Sequence, residues 1–191
     1  MNPLGAAEHV PRTSNKKHTI LQAAADIVQR DGAGHLTIDA VAAEAGLSKG
    51  GVLYHFPNKR ALLEGMLDTL IDSIDQRSTR HRDELNGQPG AVVRSLLDGE
   101  INQSPTEQAM SRAILAAAAE DPKLLDRARS FFAQVLQDMR DGPDPADNQL
   151  IVFLALQGLI FMDMLDLSPL SQTETRDVRH SMHTLLSESA I

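Results

Sequence analysis

The stretch Thr37-Ile38-Asp39-Ala40-Val41-Ala42-Ala43-Glu44-Ala45-Gly46-Leu47-Ser48-Lys49-Gly50-Gly51-Val52-Leu53-Tyr54-His55-Phe56 reads as two short helices and the turn between them. Thr37 is a natural N-cap, and Asp39 falls in the first turn, where an acid suits the positive end of the helix dipole. Ile38, Val41, Ala42 and Ala45 form the apolar stripe, and Gly46 ends the helix. Ser48 caps a second helix, Lys49 to His55, which Phe56 and Pro57 close. Two helices joined by Ala45-Gly46-Leu47-Ser48 have the dimensions of a helix-turn-helix, whose second helix enters the DNA major groove. Gly50 and Gly51 each cost roughly 1 kcal/mol in a helix interior. Close approach of the backbone to another surface offsets that cost, and DNA is the obvious surface. A tight αα-hairpin inside a bundle is the competing reading.

Working outward, residues 1–13 are polar, carry Pro3, Gly5 and Pro11, and suggest a flexible arm. Ile20, Ala23, Ala24, Ile27 and Val28 then recur at helical spacing, predicting a helix from about Ser14 to Asp31. Gly32-Ala33-Gly34 follows a helix rather than a strand, so it is no dinucleotide loop. Asn58 caps a long amphipathic helix with Leu63, Met66, Leu67, Leu70, Ile71 and Ile74 on one face, ending near Asn86-Gly87. Pro89, the capping box Ser104-Pro105-Thr106-Glu107, the cap-plus-proline pairs Asp121-Pro122 and Asp144-Pro145, and a last box from Ser171 to Glu174 mark the later helix starts. The sum is an all-α chain of about nine helices. No segment alternates at period two for long enough to be a strand.

Composition agrees. Aromatics are 3% of the 191 residues, with no Trp and a single Tyr, which suits Leu/Ala/Met-packed helices better than a β-sandwich. The absence of cysteine excludes disulfide frameworks, Cys-based zinc sites and thiol catalysis, and fits a reducing compartment. The N-terminus carries no signal-peptide pattern. The apolar run Leu150 to Met162 contains Gln157 and falls short of the roughly 20 residues that span a bilayer, so a buried core helix and a cytoplasmic protein without a membrane partner are expected. A net charge of -8 argues at first against a nucleic-acid partner. The charge is polarised, however: residues 1–62 hold seven Lys and Arg against five acids, and the remainder 11 against 21.

The run from Thr37 to Phe56, with Asn58-Lys59 and Leu62 after it, resembles the DNA-binding domain of TetR-family transcriptional regulators. Leu53-Tyr54-His55-Phe56 followed by Lys59 is the most specific part of the likeness, which extends from roughly Lys16 to Leu67. It implies a helix-turn-helix domain at 14–60 and a helical ligand-binding and dimerisation domain at 61–191. It also implies a homodimer on a palindromic double-stranded DNA operator. Carried over residue by residue, Thr37, Tyr54, His55 and Lys59 look like phosphate contacts, and Ser48, Lys49 and Gly51 like groove-facing positions. Lys49 and Val52 are the candidates for reading bases, Lys through guanine acceptors and Val through a thymine methyl. Lys16, Lys17 and His18 read either as a basic reach toward the backbone or as a solvated tail.

The C-terminal part supplies dimer and sensor. A helix apolar nearly all round, as Leu150–Met162 is, must be enclosed on every side, by its own chain or by a symmetry mate packed across it and the last helix. Ala155 and Gly158 permit the close approach. Met110, Ile114, Phe131, Phe132, Met139, Phe161, Met162 and Met164 gather soft and aromatic side chains suited to a hydrophobic small-molecule effector. Asp163 and Asp166 beside an apolar face suggest a cationic one. The expected function is therefore a ligand-responsive repressor, not an enzyme, that controls an exporter. The rivals are a helical enzyme or carrier with a helix-turn-helix-like hairpin, and a TetR-like activator without effector. Asp177, His180 and His183 share one helix face, but a solvated polar row is the reading taken; no metal or cofactor is implied.

Overall fold

Capping side chains set the helix starts. Thr37 Oγ1 accepts from the Ala40 N–H at 3.1 Å and Ser48 Oγ from the Gly51 N–H at 3.1 Å. Asn58 Oδ1 accepts from the Ala61 N–H at 2.8 Å. The Ser104/Glu107 box is closed in both directions, as is that of Ser171 and Glu174. A computed structural model describes residues 12–85, 88, 90–100, 103–142 and 146–188. The predicted breaks at Asn86-Gly87, Pro89 and Asp144-Pro145 lie outside the described residues, as does the arm up to Pro11.

Among the described residues there are nine α-helices and no strand. They are α1 (Arg12–Asp31), α2 (Ile38–Glu44), α3 (Lys49–His55), α4 (Lys59–Leu85), α5 (Ala91–Glu100), α6 (Pro105–Ala118), α7 (Asp126–Asp141), α8 (Ala146–Met164) and α9 (Gln172–Glu188). α1 begins at Arg12, inside the stretch expected to be an arm. Asp121-Pro122 opens a 3-10 turn, Pro122–Leu125, instead of α7 itself. Asp121 accepts from the Lys123 N–H, and the Leu124 N–H reaches the Asp121 carbonyl, which tucks Leu124 into the core before α7 starts.

Two hydrophobic cores result. The first joins Ile20, Leu36, Val41, Val52, Leu62 and Met66 to Ala113 and Ile114 of α6 and to Leu124, so it runs past residue 60 and binds the helix-turn-helix to the body. The second gathers Val93, Leu97, Met139, Leu156, Met182 and Leu186 from α5 and α7–α9. α4 runs through both, with Leu62 to Ile71 in the first and Ile74 against the second. Its Gly65 lies flat against the Phe56 ring: a Cβ there would stand 2.6 Å from Cε1.

Asp147–Met164 has the length and composition of a membrane-crossing helix, with a mean hydropathy of 1.2, and exceeds the run read from sequence. In the fold, α8 buries Val152, Phe153, Leu156 and Leu159 against the second core. Its opposite side, with Ile151, Leu154, Phe161 and Met162, stays exposed, as does Leu165 just past its end. Those five, together with Ala155 and Gly158, recur at three- and four-residue spacing and form one continuous apolar stripe. The enclosure expected on every side is therefore provided on one side by this chain.

Candidate nucleic-acid interface

α2 and α3 meet through Gly46, whose φ of 65° is left-handed and suits a residue without a Cβ. The inward face of α3 is Val52, fully buried, and Phe56, one turn later. Placing that pair inward turns Gly50 and Tyr54 outward, and Lys49, at the first position of the helix, is exposed as well. Tyr54, the chain's one tyrosine, is 80% exposed, more than any other large apolar or aromatic side chain among the described residues. Its ring meets His55 edge to face at 5.1 Å. Val52 must be removed from the base-reading candidates: 0% of its surface is accessible, so it cannot present a methyl to a groove. Its periodic relation to Phe56 was the available signal.

The other sequence candidates stay accessible: Thr37, Ser48, Lys49, Tyr54 and Lys59 are exposed, and Gly51 and His55 half-buried. Thr37 and Ser48 each accept a backbone N–H, and a hydroxyl that accepts still carries an O–H to donate. Lys49 Nζ lies 3.0 Å from the carboxylate of Asp39, a pairing across the turn that sequence spacing did not reveal. A Cβ on Gly50 would meet nothing within 4 Å, and one on Gly51 would stand 3.3 Å from Ser48 Oγ. Among the described residues no packing therefore requires glycine at 50. Lys59 opens α4 exposed to solvent. Lys16, Lys17 and His18 sit on α1, not on an arm, and the Lys17 ammonium lies 5.6 Å from the centre of the Phe56 ring.

Ion pairs brace this unit. Arg30 on α1 donates to both carboxylate oxygens of Glu44 at 3.1 and 3.0 Å, and those hydrogen bonds hold Glu44 below the usual carboxylate range. Arg60 reaches Asp121 at 2.8 Å and Glu64 at 2.9 Å. The Glu64 hydrogen bond raises the arginine further, and the Asp121 pair ties the start of α4 to the turn before α7.

The residues predicted to line an effector pocket are not brought together. Met110 and Ile114 are buried in the first core, Met139 in the second, and Phe131 packs half-buried against both. Phe161, half exposed, is on the outward stripe of α8, as is Met162. Asp163 and Met164 share a cavity of about 90 Å³ with Ile160, Ser111 and Arg179. Asp166 has φ 56° and ends α8, with the Leu167 N–H reaching back to the Met162 carbonyl at 2.8 Å, which gives its position a structural reason. Larger cavities, about 480, 390 and 350 Å³, lie along the seam where α1 and the N-terminal half of α4 face α6 and the start of α7. Among the described residues no group of three His, Asp or Glu side chains could hold a metal ion. His183 lies 3.2 Å from Asp98.

Residues 20–66 match the model of the tetR family of bacterial regulatory proteins, and residues 90–187 that of the tetracyclin repressor-like C-terminal domain. Among curated relatives, the nucleoid occlusion factor SlmA of Photobacterium profundum is 26% identical over 134 residues, covering 68% of this chain and 67% of the relative. That of Vibrio cholerae is 27% identical over 131 residues, covering 66% and 65%; the chain thus spans about two thirds of these relatives' length. Among solved structures, the multidrug binding protein EbrR complexed with imidazole has a TM-score of 0.68 at 21% identity, covering 96% of this chain and 97% of that one. A TetR-family member from Streptomyces coelicolor A3 has 0.66 at 20%, covering 92% and 99%. With an exposed-tyrosine helix-turn-helix at one end, a helical body at the other and family matches over both, the chain belongs to the TetR family of DNA-binding transcriptional regulators.

Proposed function

We propose that the protein is a homodimeric repressor, released from a palindromic DNA operator by a hydrophobic small molecule, and that an exporter gene is its target. The observation that carries the DNA part is the outward face of α3, where Tyr54 stands 80% exposed beside an unpacked Gly50. On this reading Thr37, Tyr54, His55 and Lys59 hold phosphates and fix register, while Ser48, Lys49 and Gly51 meet the groove. The apolar stripe of α8, with Leu185 exposed on α9, is the isologous dimer face, since monomers rarely leave such a patch to water. Two recognition helices about 34 Å apart, or somewhat more, then enter successive major grooves.

An effector that favours the dimer with the wrong spacing must prefer it by about 10⁴-fold to move the equilibrium from 1:99 to 99:1. A fold shared with a multidrug binding protein suits a hydrophobic effector. A cationic head facing Asp163 competes with the chain's own Arg179 in the same small cavity, so the charge preference is tested by Asp163→Asn. Equal affinity of both forms for a cationic dye in calorimetry removes it. For DNA, Tyr54→Ala abolishes the mobility shift of genomic fragments selected by the wild type and Lys49→Ala weakens it, with helicity and dimer mass kept in both. Wild-type affinity in both variants overturns the assignment.

A second reading, a DNA-bound factor that answers to no small molecule, is favoured by the relatives named nucleoid occlusion factors and by the dispersal of the pocket candidates. Operator affinity that stays constant across a panel of lipophilic cations and neutral analogues supports it over the first.

A further inference from the structure

Lys49 is engaged before any DNA arrives. Its ammonium is 3.0 Å from each carboxylate oxygen of Asp39, in the first turn of α2. Both side chains are open to water, at 59% and 70% exposure. A pair this exposed contributes only about 0–1 kcal/mol to stability, so the fold does not depend on it. An acid on a face that meets phosphates is moreover a liability, because it repels the backbone that Thr37, Tyr54 and Lys59 are placed to hold. The neighbouring acid on α2, Glu44, is occupied by Arg30; Asp39 is spent on the one cation of α3's first turn.

We propose that Asp39 is a specificity-determining positioning residue that directs the Lys49 ammonium toward a base and away from phosphate. The proposal rests on α3 being the helix that reads DNA. A lysine is a compact charge on a flexible stem and, left free beside a polyanion, settles on the backbone. Its ammonium has three donors. With Asp39 accepting, the stem is pinned and at least one N–H remains for the O6 or N7 of a guanine. The pair is also neutral, so the interface attracts non-operator DNA less than its lysine count suggests.

The test compares wild type, Asp39→Asn, Lys49→Ala and the double variant on a randomised duplex library, with enrichment read by sequencing. Each is also titrated with an unselected mixed-sequence duplex across a salt series. Asp39→Asn is expected to flatten the base preference at the position that Lys49→Ala also flattens. It binds the unselected duplex several-fold tighter, and log K falls more steeply with log salt by about one unit, the mark of one added phosphate contact. In the Lys49→Ala background the same change has no further effect. An enrichment profile and salt slope equal to wild type overturn the proposal, as does an equal effect in the absence of Lys49. If the wild type enriches no sequence at all, the DNA-reading role of α3 itself falls, an outcome distinct from either. Melting curves of all four proteins separate these effects from loss of fold.

Discussion

Gly50 and Gly65 show how one residue type serves opposite ends. Gly65 is required by packing, because a methyl there enters the space of the buried Phe56 ring and lies 3.2 Å from Leu21 Cδ2. Gly65→Ala is expected to cost about 1–3 kcal/mol, measured as a lower midpoint in denaturant unfolding. Gly50 has open space around it. Gly50→Ala should therefore gain roughly 0.5–1 kcal/mol of stability by helix propensity. If the DNA backbone comes close at this point, the same change weakens operator binding at least tenfold. A rise in melting temperature with unchanged affinity sinks the account of that glycine.

At the scale of elements, the apolar contact of α4 with α6 is flanked, at the start of α6, by a polar and mostly buried cluster. Glu107 accepts from Arg77 at 2.7 Å, from the Ser73 hydroxyl at 2.8 Å and from the Ser104 N–H at 2.7 Å. Burial pushes its carboxyl up, but these three bonds and the nearby positive charge win, leaving it below its ordinary value of 4.5. A lowered folded value means that the stabilisation is fully present above about pH 4.5 and is lost as pH falls through the folded value. Glu107→Gln should cost roughly 1–3 kcal/mol at neutral pH, and the difference from wild type should shrink in acid. A pH-independent difference contradicts the assignment. On α8, Leu154 is 66% exposed in the middle of the apolar stripe. Leu154→Glu is expected to leave the single chain folded while sedimentation shows monomers and operator affinity collapses; a persistent dimer places the interface elsewhere.

For the molecule as a whole, charge and packing divide differently. Residues 1–62 carry a net +2 and the remainder -10. Binding to any duplex is thus expected to weaken as salt rises, with a slope set by the few cations at one end. A salt-insensitive interaction is incompatible with that picture. The first core, by contrast, crosses from α1 into α6, and the cavities of several hundred Å³ lie along that seam.

Helix starts at Thr37, Ser48, Asn58, Ser104 and Ser171 were legible because a cap is a contact between residues three apart, and the motif from Thr37 to Phe56 carried the family for the same reason. Local spacing fixes which side of a short helix is apolar, so the outward Tyr54 and, through its spacing to Phe56, the inward Val52 were also within reach. What tertiary structure alone decided depends on partners far apart in sequence. Met110 and Met139 were assigned to different cores, Phe161 was left on an outer stripe, and Lys49 found Asp39 across a turn. An apolar side chain in a helical chain has the same signature whether it faces a core, a ligand or a second copy, because the hydrophobic effect is non-directional. Only the packing of the helices assigns it to one of the three.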